Sequence, residues 1–390
     1  MNENRVAGSV TANTVAGLKQ YGQSVWLDYI RRSLIASGEL KRLVEEDGLA
    51  GVTSNPAIFE KAIEGSNDYA AAIDEIAKQD PGLDAKKVYE RLAIKDIQDA
   101  ADVLRPVYES TQSHDGYVSL EVSPDLANDT DATIAEARHL WNAVARPNVM
   151  IKVPATPAGL PAIRTLIGEG ININVTLLFA RDAYEAVAHA YIEGLEARVR
   201  DGQPIARIAS VASFFVSRID TAADALLEAK LKADEKDRGR LEPLLGKVAI
   251  ANAKLAYQSY KKIFSGPRWE ALQEKGAQTQ RVLWASTGTK NPAYSDVKYV
   301  EALIAPDTVT TLPPETLAAY RDHGEPALRL PQAATKAKAE LAELAKRLGA
   351  VGIDWSTVGP KLEEQGLKKF VEPHESLLAT LRTRMAALRK

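Results

Sequence analysis

The sequence predicts an α/β protein, a (β/α)8 barrel of the TIM type with extra helices at its carboxyl end. Three observations carry this. Short apolar, β-branched runs alternate with long amphipathic stretches from residue 24 to about 325. The apolar runs number eight. Every connection is long enough for a crossover helix between parallel strands.

The expected strands are Ser24 to Tyr29, Gly51 to Ser54, Tyr117 to Val122, Val149 to Pro154, Ile171 to Leu178, Ile205 to Phe214, Arg281 to Ser286 and Thr308 to Leu312. Most read as continuous hydrophobic runs, the pattern of strands covered on both faces. The helical stretches between them are Leu34 to Glu46, Asp84 to Glu109, Asp131 to Ala145, Leu160 to Glu169, Arg181 to Asp201, Arg218 to Lys232, Leu245 to Phe264 and Pro314 to Asp322. A doubly wound open sheet would show a glycine-rich phosphate turn after its first strand. Here that strand runs into Asp28-Tyr29-Ile30-Arg31-Arg32 instead.

The segment from residue 217 to 280 exceeds a single crossover, and is expected to hold two helices joined by a solvated, charged connector, Ala233 to Arg240. Beyond residue 330 strands cease. Ala333 to Leu348 reads as a helix stopped by Gly349 and Gly352, followed by two more, Ser356 to Phe370 and Glu372 to Arg389. The expected division is a barrel domain over 1–330 and a helical extension over 331–390, packed on the barrel.

Composition excludes several chemistries. The 390 residues contain no cysteine, which removes disulfides, thiolate catalysis and thiolate metal sites. Lys and Arg total 49 against 52 Asp and Glu, with no dense basic run, so neither nucleic acid nor an anionic membrane is an expected partner. Met1 to Val15 lacks the plan of a signal peptide, and no run approaches the ~20 apolar residues of a membrane span. A cytoplasmic protein is expected. The acidic group Asp125, Asn128, Asp129 and Asp131 lacks the glycine and distal glutamate of a calcium loop. It is read as a helix cap, and neither metal nor cofactor is expected. Monomer and homodimer both remain open.

The most informative residue is Lys152, an ammonium inside the apolar run Val149-Met150-Ile151-Lys152-Val153-Pro154. Burial there favours the neutral, nucleophilic amine and suggests a Schiff-base lysine. On the residue alone, a lysine that ends the strand, snorkels to water or pairs with a buried carboxylate is the better reading. What adds weight is the company at the carboxyl ends of the other strands, where barrel enzymes keep their chemistry. Asp28 ends the first strand, Thr53-Ser54-Asn55 the second, Glu121 the third, Asn174 and Thr176 the fifth, Ser213 the sixth and Ser286 the seventh. Each has a plain structural reading; Asp28 could cap a helix and Asn55-Pro56 could form a turn. Their recurrence at one end of successive strands points to one pocket.

Arg218 adds a separate argument. It falls in the first turn of a helix, where the dipole disfavours a cation, and an anion held by both guanidinium and helix amides would offset that cost. Phosphate suits both. The loop Ser286-Thr287-Gly288-Thr289-Lys290 offers further amides and a second charge, without the glycine spacing of a nucleotide-binding loop.

Four segments resemble the transaldolase family: Gly51 to Phe59, Val149 to Thr156, Asn172 to Phe179 and Ser213 to Asp220. The likeness runs from about Gly22 to the carboxyl terminus, and Trp284 to Tyr294 is most similar to the longer bacterial members. Similar domains occur fused to glucose-6-phosphate isomerase; nothing in these 390 residues supplies that second activity. The resemblance implies a barrel of the class I aldolase type, sugar-phosphate substrates and a place in the pentose phosphate pathway. It implies that Lys152 attacks the ketone of the donor and that Asp28 exchanges the C4-hydroxyl proton. Glu121 and Thr176 would then hold a proton-shuttling water. By the same likeness Asn55, Asn174 and Ser213 bind the dihydroxyacetone portion, with Thr53 in the same wall, while Arg218, Ser286 and Lys290 hold phosphate.

One position departs. Shorter transaldolases carry a second phosphate-binding arginine where this chain has Gly288, so the role is expected to pass to Lys290. The resemblance also includes fructose-6-phosphate aldolases, which cleave without transfer and typically carry glutamine and tyrosine at the positions of Glu121 and Phe215. A rival from another class is a non-catalytic sugar-phosphate binding barrel in which Lys152 and Glu121 form only an ion pair.

Overall fold

The computed structural model describes residues 13–233, 238–331, 336–350, 352–354 and 357–388. Most of the Met1 to Val15 stretch, the middle of the Ala233 to Arg240 connector and the starts of the expected helices at Ala333 and Ser356 lie outside the described residues.

Eight parallel strands close into a barrel in chain order: β1 (Gln23–Asp28), β2 (Gly51–Thr53), β3 (Tyr117–Glu121), β4 (Val149–Pro154), β5 (Ile173–Leu178), β6 (Ser210–Phe215), β7 (Arg281–Ala285) and β8 (Thr308–Leu312). β1 pairs with β8 to complete the ring. All eight expected strands are present. β6 starts later than the expected Ile205, because the amide of buried Ala209 bonds to the Asn172 side chain at 2.9 Å instead of extending a ladder.

At the amino end of the barrel Trp26 stands opposite Gly51, where a Cβ would lie 2.4 Å from the indole, so only glycine fits. A buried polar cluster closes this end. Asp115 accepts from Arg281 Nη2 at 2.8 Å, from Ser24 Oγ at 2.6 Å and from Trp26 Nε1 at 3.3 Å.

The crossover helices Ala85–Ser110, Thr130–Val144, Gly159–Glu169 and Arg181–Arg200 follow the expected stretches. Asp84 and Asp129 cap the first two by accepting from the amides of Lys87 and Ala132. Five departures are informative. The stretch Leu34 to Glu46 is two helices, Arg32–Ala36 and Glu39–Asp47, parted where Gly38 takes φ +80°. Two helices not expected, Pro56–Glu64 and Ala70–Gln79, follow β2. Asn55-Pro56 is no simple turn: Asn55 Oδ1 accepts the Ile58 amide at 3.0 Å and Pro56 takes the first helical position, a helix start. The described end of the charged connector, residues 238–240, is exposed as expected, but it is helical, the start of the short helix Arg238–Leu241.

The last departure concerns the carboxyl end. The two expected helices are one, Val358–Leu388, with Pro373 inside it. Proline removes one backbone bond there, but Leu362, Gly366, Phe370, His374, Leu377 and Leu381 keep a buried stripe unbroken on both sides. The stripe packs this helix on Pro56–Glu64, on Ala85–Ser110 and on β5, across the carboxyl end of the barrel. A Cβ on Gly366 would lie 3.0 Å from Leu177 Cδ2, so the absence of a side chain there sets how closely the helix approaches. Among the described residues no helix is long and apolar enough to cross a membrane.

Candidate active site

Strand register brings the functional side chains to one level. Glu121, Lys152 and Asn174 pair laterally across β3, β4 and β5, and Asp28 pairs with Thr53 across β1 and β2. Lys152 is 5% exposed. Its Nζ donates to the Ser54 carbonyl oxygen at 2.8 Å and lies 3.1 Å from Glu121 Oε2. That second contact is an ion pair, and among the described residues neither Glu121 oxygen has a hydrogen-bond partner of good geometry. Burial pushes the Glu121 carboxyl above the usual carboxylate range, against the opposing pull of the Lys152 ammonium.

Around this pair the side chains fix one another. Thr53 Oγ1 donates to Asp28 Oδ1 at 2.8 Å, so Asp28 is held by its neighbour strand and caps no helix. Ser213 Oγ donates to Asn174 Oδ1 at 2.7 Å, and Asn174 Nδ2 donates to Ser119 Oγ at 3.0 Å. Thr176 and Leu177 together face the single Ser213 in a bulge of β5, and Leu177 takes φ +64°. The Thr176 hydroxyl beside this bulge is buried with no hydrogen-bond partner among the described residues.

The opposite wall is cationic. Arg218 is the second residue of the helix Ser217–Ala233, as the sequence predicts. Its guanidinium carbon lies 5.0 Å from the Phe215 ring centre and 6.0 Å from that of Phe370, and Nη1 is buried with no partner among the described residues. Burial lowers the Arg218 pKa, while Asp28 and Glu121 oppose that shift. Ser286, at the end of β7, holds φ +56°, and its hydroxyl lies 3.0 Å from that of Ser217. The Lys290 ammonium reaches back to 3.6 Å from the point where a side chain on Gly288 would begin.

These groups surround a cavity of about 250 Å³. It is lined by Asp28, Thr53, Asn55, Lys152, Thr176, Ser213, Phe215, Arg218, Ser286 and Lys290, with Glu121 and Asn174 directly behind Lys152 and Ser213. All twelve residues singled out in the sequence therefore meet in one place. Of the lining residues that sequence reasoning missed, Lys61, Lys369 and Phe370 matter most. Lys61 comes from the unexpected helix after β2, and Lys369 and Phe370 come from the C-terminal helix. The Phe370 ring centre stands 5.9 Å from Lys152 Nζ. A helix-start reading of Asn55-Pro56 would have exposed Lys61; no local signal ties Phe370 to a lysine so distant in the chain.

Five cations (Lys61, Lys152, Arg218, Lys290 and Lys369) and one carboxylate (Asp28) line the cavity. Fold and site together define a barrel enzyme with a cation-rich pocket, of a charge that suits a small anionic molecule, built around a buried lysine. Comparison with known proteins narrows this. The description Transaldolase/Fructose-6-phosphate aldolase matches residues 25–381. Transaldolase 2 of a Nostoc species is 51% identical, over 96% of this chain and 98% of its own length. The transaldolases of Trichodesmium erythraeum and Thiobacillus denitrificans are 49% and 46% identical, over 97% and 95% of this chain and 99% of each of theirs. The chain belongs to the transaldolase/fructose-6-phosphate aldolase family.

Proposed function

We infer that this protein is a transaldolase: it moves a dihydroxyacetone unit from sedoheptulose 7-phosphate or fructose 6-phosphate to an aldose phosphate through a Schiff base on Lys152. The observation that carries this reading is the Lys152–Glu121 pair, 3.1 Å apart, buried and incompletely hydrogen-bonded. A carboxylate raised by burial is a competent acceptor for the proton the ammonium must lose before it attacks.

Lys152 Nζ adds to the ketone carbon, and loss of water gives the iminium ion. Glu121 and Thr176 hold the water that carries these protons; their unpartnered oxygens suit that task. Asp28, with one oxygen bound by Thr53, uses the other to take the C4-hydroxyl proton as the C3–C4 bond breaks. The bonding electrons pass to the iminium nitrogen, leaving an enamine on Lys152 and a free aldose phosphate. The enamine then attacks the acceptor aldehyde, Asp28 returns the proton, and hydrolysis frees the lysine. Asn174 and Ser213, already bonded to each other, bind the dihydroxyacetone hydroxyls. Asn55 contributes only its amide NH2, since its carbonyl oxygen caps a helix. Arg218, Ser286 and Lys290 receive the phosphate, and the reaction is placed in the cytoplasm.

Phe215 favours transfer over simple cleavage. Its ring packs 5.1 Å from Phe179 and offers no hydroxyl to protonate the enamine. The test is product release with fructose 6-phosphate, with and without erythrose 4-phosphate. Transfer predicts turnover that depends on the acceptor; substantial glyceraldehyde 3-phosphate release without acceptor identifies an aldolase instead.

A further inference from the structure

The phosphate wall remains short of charge if only the residues on barrel loops are counted. Gly288 has no side chain, and among the described residues Arg218 presents the one guanidinium lining the cavity. A second groove, about 620 Å³, opens from the same wall between the helix Ser217–Ala233 and the C-terminal helix. Arg218, Lys290 and Lys369 line both spaces, whereas Lys361 lines only the outer groove. Among the described residues no carboxylate lines the groove.

Lys369 is placed here by the residues beside it. Phe370 is buried over Lys152 and Arg218, and Gly366, one turn earlier, seats the helix against Leu177 and Phe179. The neighbouring position therefore lies at the rim of the pocket. Lys369 has no carboxylate within ion-pair distance among the described residues, whereas Lys254, also near the C-terminal helices, is paired with Glu340 at 2.7 Å. An exposed cation held at a pocket mouth without a protein counter-charge is available to a ligand.

We propose that Lys369 is a phosphate-binding, specificity-determining residue, and that the C-terminal helix thereby completes with Arg218 and Lys290 the cradle that Gly288 leaves open. This rests on the transaldolase reading. Two lysines on separate elements also fit substrates of different length, because donors of six and seven carbons carry the phosphate roughly one carbon–carbon bond apart. An ammonium on a four-carbon stem follows such a shift more readily than a rigid guanidinium fork.

The experiment compares half-saturation of borohydride trapping for fructose 6-phosphate and for dihydroxyacetone, which forms the same Schiff base without phosphate. In Lys369→Ala the half-saturating fructose 6-phosphate concentration should rise about tenfold, as for loss of one charge-assisted contact, with dihydroxyacetone unchanged. Lys369→Arg should return to within about twofold, and inorganic phosphate should compete less well against Lys369→Ala than against the parent. Lys361→Ala removes the same charge from the outer groove and should alter neither ligand by more than about twofold. Equal losses for both ligands, no loss for fructose 6-phosphate, or an equal loss in Lys361→Ala would overturn the proposal. Absence of any adduct in the parent protein would instead sink the Schiff-base reading itself.

Discussion

Two buried ion pairs sit at opposite ends of this barrel, and their partners are built differently. At the amino end Arg281 and Asp115 have side chains 4% and 11% exposed; at the carboxyl end the values for Lys152 and Glu121 are 6% and 2%. Burial is alike, but satisfaction is not. Both Asp115 oxygens accept hydrogen bonds, from Arg281, Trp26 and Ser24. Among the described residues neither Glu121 oxygen has a hydrogen-bond partner of good geometry. A fully bonded pair locks a structure, whereas one left with open valences is disposed to exchange protons.

The sharpest way to separate the pairs is to remove the cation from each. Lys152→Met should lower turnover at least about ten-thousandfold, equivalent to roughly 5.5 kcal/mol, since no other group replaces the nucleophile. Its stability should respond to pH in a definite direction. Without the ammonium, the Glu121 carboxyl rises further above its ordinary value of 4.5. The native state then holds a proton that the unfolded chain releases near 4.5, so stability falls as pH rises through that window and is regained on acidification. Denaturant titrations at several pH values check the sign. Arg281→Met should do the reverse, costing about 3–5 kcal/mol of stability by stranding Asp115 while leaving turnover per folded molecule intact.

Smaller changes refine the carboxyl end. Arg218→Ala should raise KM for phosphorylated donors about thirtyfold to a hundredfold, or about 2–3 kcal/mol, measured by initial rates. Glu121→Gln keeps the shape but cannot accept a proton; single-turnover imine formation should slow about tenfold to a hundredfold. The acid limb of its pH–rate profile, which the raised Glu121 carboxyl would set in the parent, should disappear. Gly366→Val presses a branched side chain on Leu177 and Phe179 and should lift the C-terminal helix, costing about 1–2 kcal/mol of stability and raising KM more than it lowers kcat.

The same contrast explains what could be read from the sequence. Residues on strands were legible because parallel strands impose both burial and a common polar end, so Glu121, Lys152 and Asn174 could be placed side by side before any coordinates. The roof was not legible. Phe370 and Lys369 reach the pocket only because a helix far along the chain crosses the barrel, and local pattern carries no information about where a helix docks. Two helices expected at the carboxyl end are one because packing continues on both sides of Pro373, whereas Gly38 broke a helix that its apolar spacing had joined. Gly288 was recognised as a gap in the phosphate site, but the fold decides which distant lysines can stand near it.

The contrast between the two ends rests on Lys152 being a nucleophile and not merely half of an ion pair. Borohydride reduction of the protein with fructose 6-phosphate, followed by peptide mapping, measures this directly. The expected result is a single stable adduct on Lys152, absent from Lys152→Met. An adduct confined to another lysine, or none at all, would contradict it.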